Sequence, residues 1–80
     1  MDLRPGMFLY DVSDKSITIL IRRFWSYEGL EPPPYAYRDP EFFKVWVWET
    51  VSSKDGKAYW SETGLINLTK AEIIMVLDNN

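Results

Sequence analysis

The stretch Ile17-Thr18-Ile19-Leu20-Ile21-Arg22-Arg23-Phe24-Trp25 decides the fold class of this 80-residue chain. Isoleucine recurs at every second position, and a period of two with strong β-branching is typical of a β-strand. Because successive side chains of a strand point to opposite faces, the alternation assigns Ile17, Ile19 and Ile21 to the buried face.

A second long strand is predicted at Phe42-Phe43-Lys44-Val45-Trp46-Val47-Trp48-Glu49-Thr50-Val51. Phe43, Val45, Val47 and Val51 share one face, and Phe42, Trp46 and Trp48 share the other with Lys44 and Thr50. Large apolar side chains lie on both faces, although only one face can point into a thin core. The second face is therefore either covered by another part of the chain or open to a partner.

Shorter elements complete the predicted sheet of about five antiparallel strands. A turn at Pro5-Gly6 precedes a first strand over residues 7–12. Asp55-Gly56 predicts a hairpin over residues 52–57, and a strand follows it at residues 58–62. The predicted core lies between these strands, with Leu9 or its neighbours in the first one. Its other members are Ile17, Ile19, Ile21, Val45, Val47, Ile66, Leu68 and Met75.

The C-terminal part of the chain gives two signals. Residues 69–72 have the spacing of a helix capping box, and residues 73–77 form a β-rich run. One short helical turn before a last strand satisfies both signals, and a longer C-terminal helix is the alternative.

A long proline-rich loop over residues 27–41 separates the two long strands. It contains the run Pro32-Pro33-Pro34, which favours an extended polyproline II conformation. The four residues Pro32-Pro33-Pro34-Tyr35 also match the Pro-Pro-x-Tyr ligand of WW domains, whereas a stiff connector is the plainer interpretation. A loop of this length either covers the aromatic face of the sheet or leaves it exposed.

Composition limits the function. The length predicts a single domain over residues 1–80 with no room for a deep pocket. The chain contains no Cys and no His, so the thiol and imidazole groups of most enzyme and metal sites are absent. We therefore expect no enzymatic activity and no cofactor. The missing Cys, and the lack of a leader-like or membrane-spanning apolar run, favour a soluble cytoplasmic protein with no membrane association.

The order of elements and several short motifs suggest a family. The motifs are Leu3-x-Pro5-Gly6, Val45-Trp46-Val47-Trp48, Tyr59-Trp60 and the closing Leu68, Glu72 and Ile73. Together they resemble small SH3-like β-barrel proteins of unknown function from bacteriophages, especially cyanophages. The resemblance implies an SH3-like barrel in the host cytoplasm, and it supplies no catalytic residues.

Aromatic residues are the best candidates for a binding surface. They make up 16% of the chain, and the candidate residues are Trp46, Trp48, Phe42, Tyr35, Tyr37 and Trp25. The favoured function is a non-enzymatic accessory protein that contacts a protein partner, or a second copy of itself, through this face.

Two other functions stay open. Aromatic stacking suggests single-stranded nucleic-acid binding, which a net charge of −3 disfavours. A minimal carboxylate or metal-dependent enzyme would have to use acidic residues in or beside the loop. These are Glu28, Glu31, Asp39 and Glu41.

Overall fold

The computed structural model describes residues 3–32, 34, 40–70 and 74–77, with side chains for residues 3–32, 34 and 42–68. In chain order the elements are β1 (Phe8–Asp11), β2 (Ile17–Tyr27), a 3-10 turn (Glu28–Leu30), a second 3-10 turn (Pro40–Phe43), β3 (Lys44–Ser52), β4 (Gly56–Ser61), α1 (Glu62–Lys70) and β5 (Ile74–Leu77). None of the helices in these ranges is long and apolar enough to cross a membrane.

Strands β1 to β4 form one antiparallel sheet in the order β4-β3-β2-β1, and β5 pairs with the outer edge of β1. The predicted mostly-β class is thereby confirmed. Across the described residues β4 and β5 lie at opposite ends of the sheet and do not pair with each other, so the sheet is open. The SH3-like barrel stays a prediction.

The two predicted turns are present. Met7 N–H donates to the Arg4 carbonyl at 3.2 Å around Pro5-Gly6, where Gly6 has a φ of 88°. In the hairpin, Gly56 has a φ of 71°, a conformation that glycine adopts without a steric penalty. Gly56 is opposite Ser52, so β4 begins two residues earlier than predicted.

The core lies on one face of the sheet, beneath α1. It consists of Leu3, Met7, Leu9, Leu20, Trp48 and Leu65, with Ile66 packed against it. Burial of Leu9 and of Val47 is confirmed, whereas Val45 and Leu68 are only half-buried. The core of β3 nevertheless lies on the face of Trp48, because Val47 points to the opposite face and is not part of the cluster beneath α1. The side chain of Met75 lies outside the described residues.

The predicted buried face of β2 is wrong. Leu20 has no exposed surface, whereas Ile17 and Ile21 are each 41% exposed and Ile19 is half-buried. The α-helix and the N-terminal segment cover the face that carries Leu20, and this cover decides which side chains are buried. A shift in the pairing with β3 between Leu20 and Arg22 then reverses the alternation, as a β-bulge does.

The helix is longer and earlier than the predicted turn at residues 69–72. Its nine residues begin at Glu62, directly after β4. The Ser61 hydroxyl accepts a hydrogen bond from Gly64 N–H at 3.2 Å, which is the geometry of an N-cap. The acidic Glu62 in the first turn also suits the positive end of the helix dipole. The strand β5 lies within the β-rich run, and residues 71–73 are outside the described ranges.

Candidate functional site

A pair of exposed tryptophans lies at one end of the helix-covered face. The antiparallel register places Trp25 of β2 directly opposite Trp46 of β3. Their ring centroids are 5.0 Å apart at an interplanar angle of 64°, an edge-to-face arrangement that aromatic pairs favour. Trp25 is 45% exposed and Trp46 is 40% exposed. Two rigid strands therefore present both rings to solvent, and we call them the tryptophan pair.

A cation holds the orientation of Trp46. The guanidinium carbon of Arg23 lies 3.7 Å from the centroid of the Trp46 ring. Arg23 Nε donates to Glu62 Oε2 at 2.6 Å, so the first residue of α1 fixes the arginine from the other side. A cation–π contact of this kind contributes about 0.5–1 kcal/mol at an exposed site. The arrangement therefore orders the ring more than it stabilises the fold.

A shallow groove runs beside the tryptophan pair, between β3 and the start of α1. Its volume is about 310 Å³. It is lined by Trp25, Lys44, Val45, Trp46, Glu62, Thr63 and Ile66. The walls are aromatic and aliphatic, with an ammonium and a carboxylate among the lining groups. Such a groove can bind a side chain or a short segment of a partner.

The other predicted surface residues are not brought together with this pair. Trp48 has no exposed surface, and it packs in the core with its Nε1–H unpaired among the described groups. Phe42 is 75% exposed but belongs to the second 3-10 turn instead of β3, and its ring packs edge-to-face against Phe43 at 5.0 Å. Tyr35 and Tyr37 lie outside the described residues.

Sequence reasoning missed the polar partners of the tryptophan pair. Arg23 reaches Trp46 because the bulge in β2 turns the arginine side chain to the helix-covered face. No local sequence pattern predicts that bulge. Glu62 was predicted to end a strand. The Ser61-Glu62 sequence is an N-cap followed by an acidic first turn, which would have indicated the start of the helix.

A second cavity of about 200 Å³ has a polar rim. It is lined by Leu9, Asp11, Asp14, Ser16, Thr18, Ser52, Lys54, Asp55, Ala58, Trp60, Leu65 and Leu68. Hydrogen bonds from the Ser16 hydroxyl and backbone N–H, and from the Lys54 ammonium, lower the pKa of Asp14 to about 2. The Lys54 Nζ to Asp14 Oδ2 distance is 3.1 Å. The carboxylate is thus already occupied by partners from its own chain.

The acidic residues of the loop do not form a metal site where they can be described. Glu28 and Glu31 are exposed, while Asp39 and the side chain of Glu41 are outside the described part of the chain. No group of three or more carboxylates in the described ranges is arranged to hold a metal ion.

Comparison of the chain with protein-family models, with curated proteins and with solved structures found no match. Function must therefore be argued from the geometry of this chain alone.

Proposed function

We propose that this protein is a small SH3-like barrel of about five strands that acts as a non-enzymatic binding or accessory protein, encoded by a bacteriophage. It contacts a protein partner through its exposed tryptophan pair. The strand order supports the SH3-like part of the proposal, because β1 to β4 form a meander and β5 returns to β1 after a helix. The phage origin rests on the sequence resemblance.

The exposure of the tryptophan pair is the observation that carries the proposal. Trp and Arg are the residue types that most often dominate the binding energy of protein interfaces. Here Trp46 and Arg23 are already in contact, and Glu62 holds the arginine in place. Because these side chains are ordered before binding, little side-chain entropy is lost when a partner docks.

The test compares two variants that remove equally exposed apolar side chains. Trp46→Ala removes one ring of the pair, and Ile17→Ala removes a side chain that is 41% exposed on the other face of the sheet. We expect both variants to fold. A protein captured from bacterial lysate by the wild type and by Ile17→Ala should be lost with Trp46→Ala, and the same loss should appear with the purified partner. Equal capture by all three proteins would contradict the proposal.

Single-stranded nucleic acid is the second candidate, because a base could stack on the pair that Arg23 and Trp46 already form. The ion pair between Arg23 and Glu62 and the net charge of −3 weaken it. Titration of an oligonucleotide at low salt, followed by tryptophan fluorescence, separates the two. We expect no quenching, and strong quenching that Trp46→Ala removes would favour the second candidate.

A further inference from the structure

Strand β4 forms one edge of the sheet, separate from the tryptophan pair. Strand β3 is the only pairing partner of β4 among the described strands. Alternate backbone N–H and C=O groups of an edge strand point away from its single neighbour and are available to another strand. The six pairs between β3 and β4 have an unbroken register, so no bulge twists this edge out of the sheet.

Protection against strand addition is weak along β4. Proteins commonly guard an exposed edge with prolines, bulges or several charges. Strand β4 contains one charge, Lys57, and residues 58–61 are Ala, Tyr, Trp and Ser. Tyr59 is 39% exposed and Trp60 is 41% exposed, and they lie on opposite faces of the sheet. An added strand would therefore bury an aromatic side chain on each face.

We propose that β4 pairs antiparallel with the β4 strand of a second copy, forming a symmetric dimer with a sheet continuous across both chains. In such a pairing, two opposed residues direct their N–H and C=O groups either both toward the shared edge or both away from it. The two-fold axis therefore lies midway between one residue and its own copy, and each register is named here by that residue. Only axes at Ala58 or Tyr59 pair five of the six residues of β4.

The charge of β4 is compatible with both of these registers. With the axis at Ala58, Lys57 lies opposite Tyr59 of the second copy, and with the axis at Tyr59 it lies opposite Ser61. Lys57 faces its own copy only when the axis lies at Lys57, and that register pairs just three residues of the strand. The one charge on the edge therefore does not oppose the dimer.

The size of the contact sets its strength. A six-residue strand is about 20 Å long, and its pairing buries less than the roughly 1,200–2,000 Å² of a stable complex. We therefore expect a weak dimer that forms with rising concentration. Sedimentation equilibrium between about 0.01 and 1 mM should show the average mass rising above the 9.5 kDa of one chain.

Variants at Tyr59 test the register as well as the surface. Tyr59→Lys places like charges together in both registers, and we expect it to weaken dimerisation by about tenfold or more. Tyr59→Glu repels its own copy when the axis lies at Tyr59, but it pairs with Lys57 of the second copy when the axis lies at Ala58. Ile21→Lys is the matched control, because Ile21 is equally exposed on an interior strand. It should leave dimerisation unchanged.

Amide hydrogen exchange of the wild type provides a measurement that does not depend on a variant folding. Protection should increase with protein concentration at the alternate amides of residues 57–61 that point away from β3, while the exposed turn at residues 13–15 should show no change. A chain that stays monomeric at all concentrations overturns the proposal. So does a dimer that Trp46→Ala abolishes and Tyr59→Lys leaves intact, since that dimer would use the tryptophan pair.

Discussion

Trp46 and Trp48 are two residues apart on the same face of β3, yet Trp46 is 40% exposed and Trp48 has no exposed surface. The difference lies in what covers them. Trp48 packs with Leu20 and Leu65 beneath α1, whereas the Trp46 ring meets Trp25 and Arg23. A nine-residue helix is about 13 Å long, and the eleven-residue β2 spans about 37 Å. A short helix cannot cover the full length of the long strands, so one end of the face stays open.

Alanine substitutions at these two positions should distinguish the core residue from the surface residue by their effects on stability. Trp48→Ala leaves a large cavity in the core and should lower the free energy of unfolding by about 3–5 kcal/mol. Trp46→Ala removes a half-solvated ring and one cation–π contact, so its cost should be about 1 kcal/mol. Urea unfolding measures both values.

Trp48→Phe refines this comparison. It removes the buried Nε1–H that has no partner among the described groups, so part of the lost packing is offset by a removed desolvation cost of about 1–3 kcal/mol. We expect it to destabilise less than Trp48→Ala. Equal destabilisation by alanine at Trp46 and at Trp48 would show that the two ends of the face are covered alike.

A smaller effect is expected from the residue that starts the covering helix. Ser61→Ala removes the acceptor for Gly64 N–H and should cost about 0.5–2 kcal/mol. Ser61→Asp keeps an acceptor at the N-cap and serves as the control. Thermal unfolding monitored by circular dichroism measures the difference, and an alanine variant as stable as the aspartate variant would show that the cap does not hold α1 in place.

The sequence was sufficient to predict the strands but not their faces. The turn at Pro5-Gly6, the hairpin at Asp55-Gly56 and the pattern of β2 are local signals, and each corresponds to a local backbone preference. The buried face is not a local property. Both faces of β2 carry apolar residues, and contacts with distant residues such as Leu3 and Leu65 select the one that contains Leu20.

In the candidate site, too, local signals were predictable from the sequence, whereas contacts between distant residues were not. Abundant tryptophans in the strands were enough to predict an aromatic surface, and Trp25 and Trp46 are exposed there. Their pairing depends on the register between β2 and β3, which no single strand reveals. Trp48 is also a tryptophan, and it lies on the same face of β3 as Trp46. Only the position of α1 along the sheet distinguishes them.

The covered part of the face also borders the polar cavity, where the smallest effect is expected. The hydrogen bonds from Ser16 and Lys54 hold the pKa of Asp14 at about 2, below its ordinary value of 3.8. A carboxyl whose pKa is lower in the folded state stabilises the fold above its unfolded pKa, and this contribution is lost as pH falls. The loss should occur between about pH 4 and pH 2, and screening by solvent keeps it small because Asp14 is exposed.

Asp14→Asn tests this expectation. The variant should be slightly less stable than the wild type near neutral pH. The difference should shrink as pH falls from about 4 and vanish below about 2, where the wild-type carboxyl is protonated too. The chemical shift of the Asp14 carboxyl carbon, followed by NMR across the same range, reports its pKa directly. A midpoint near 3.8 would mean that the bonds from Ser16 and Lys54 do not persist in solution.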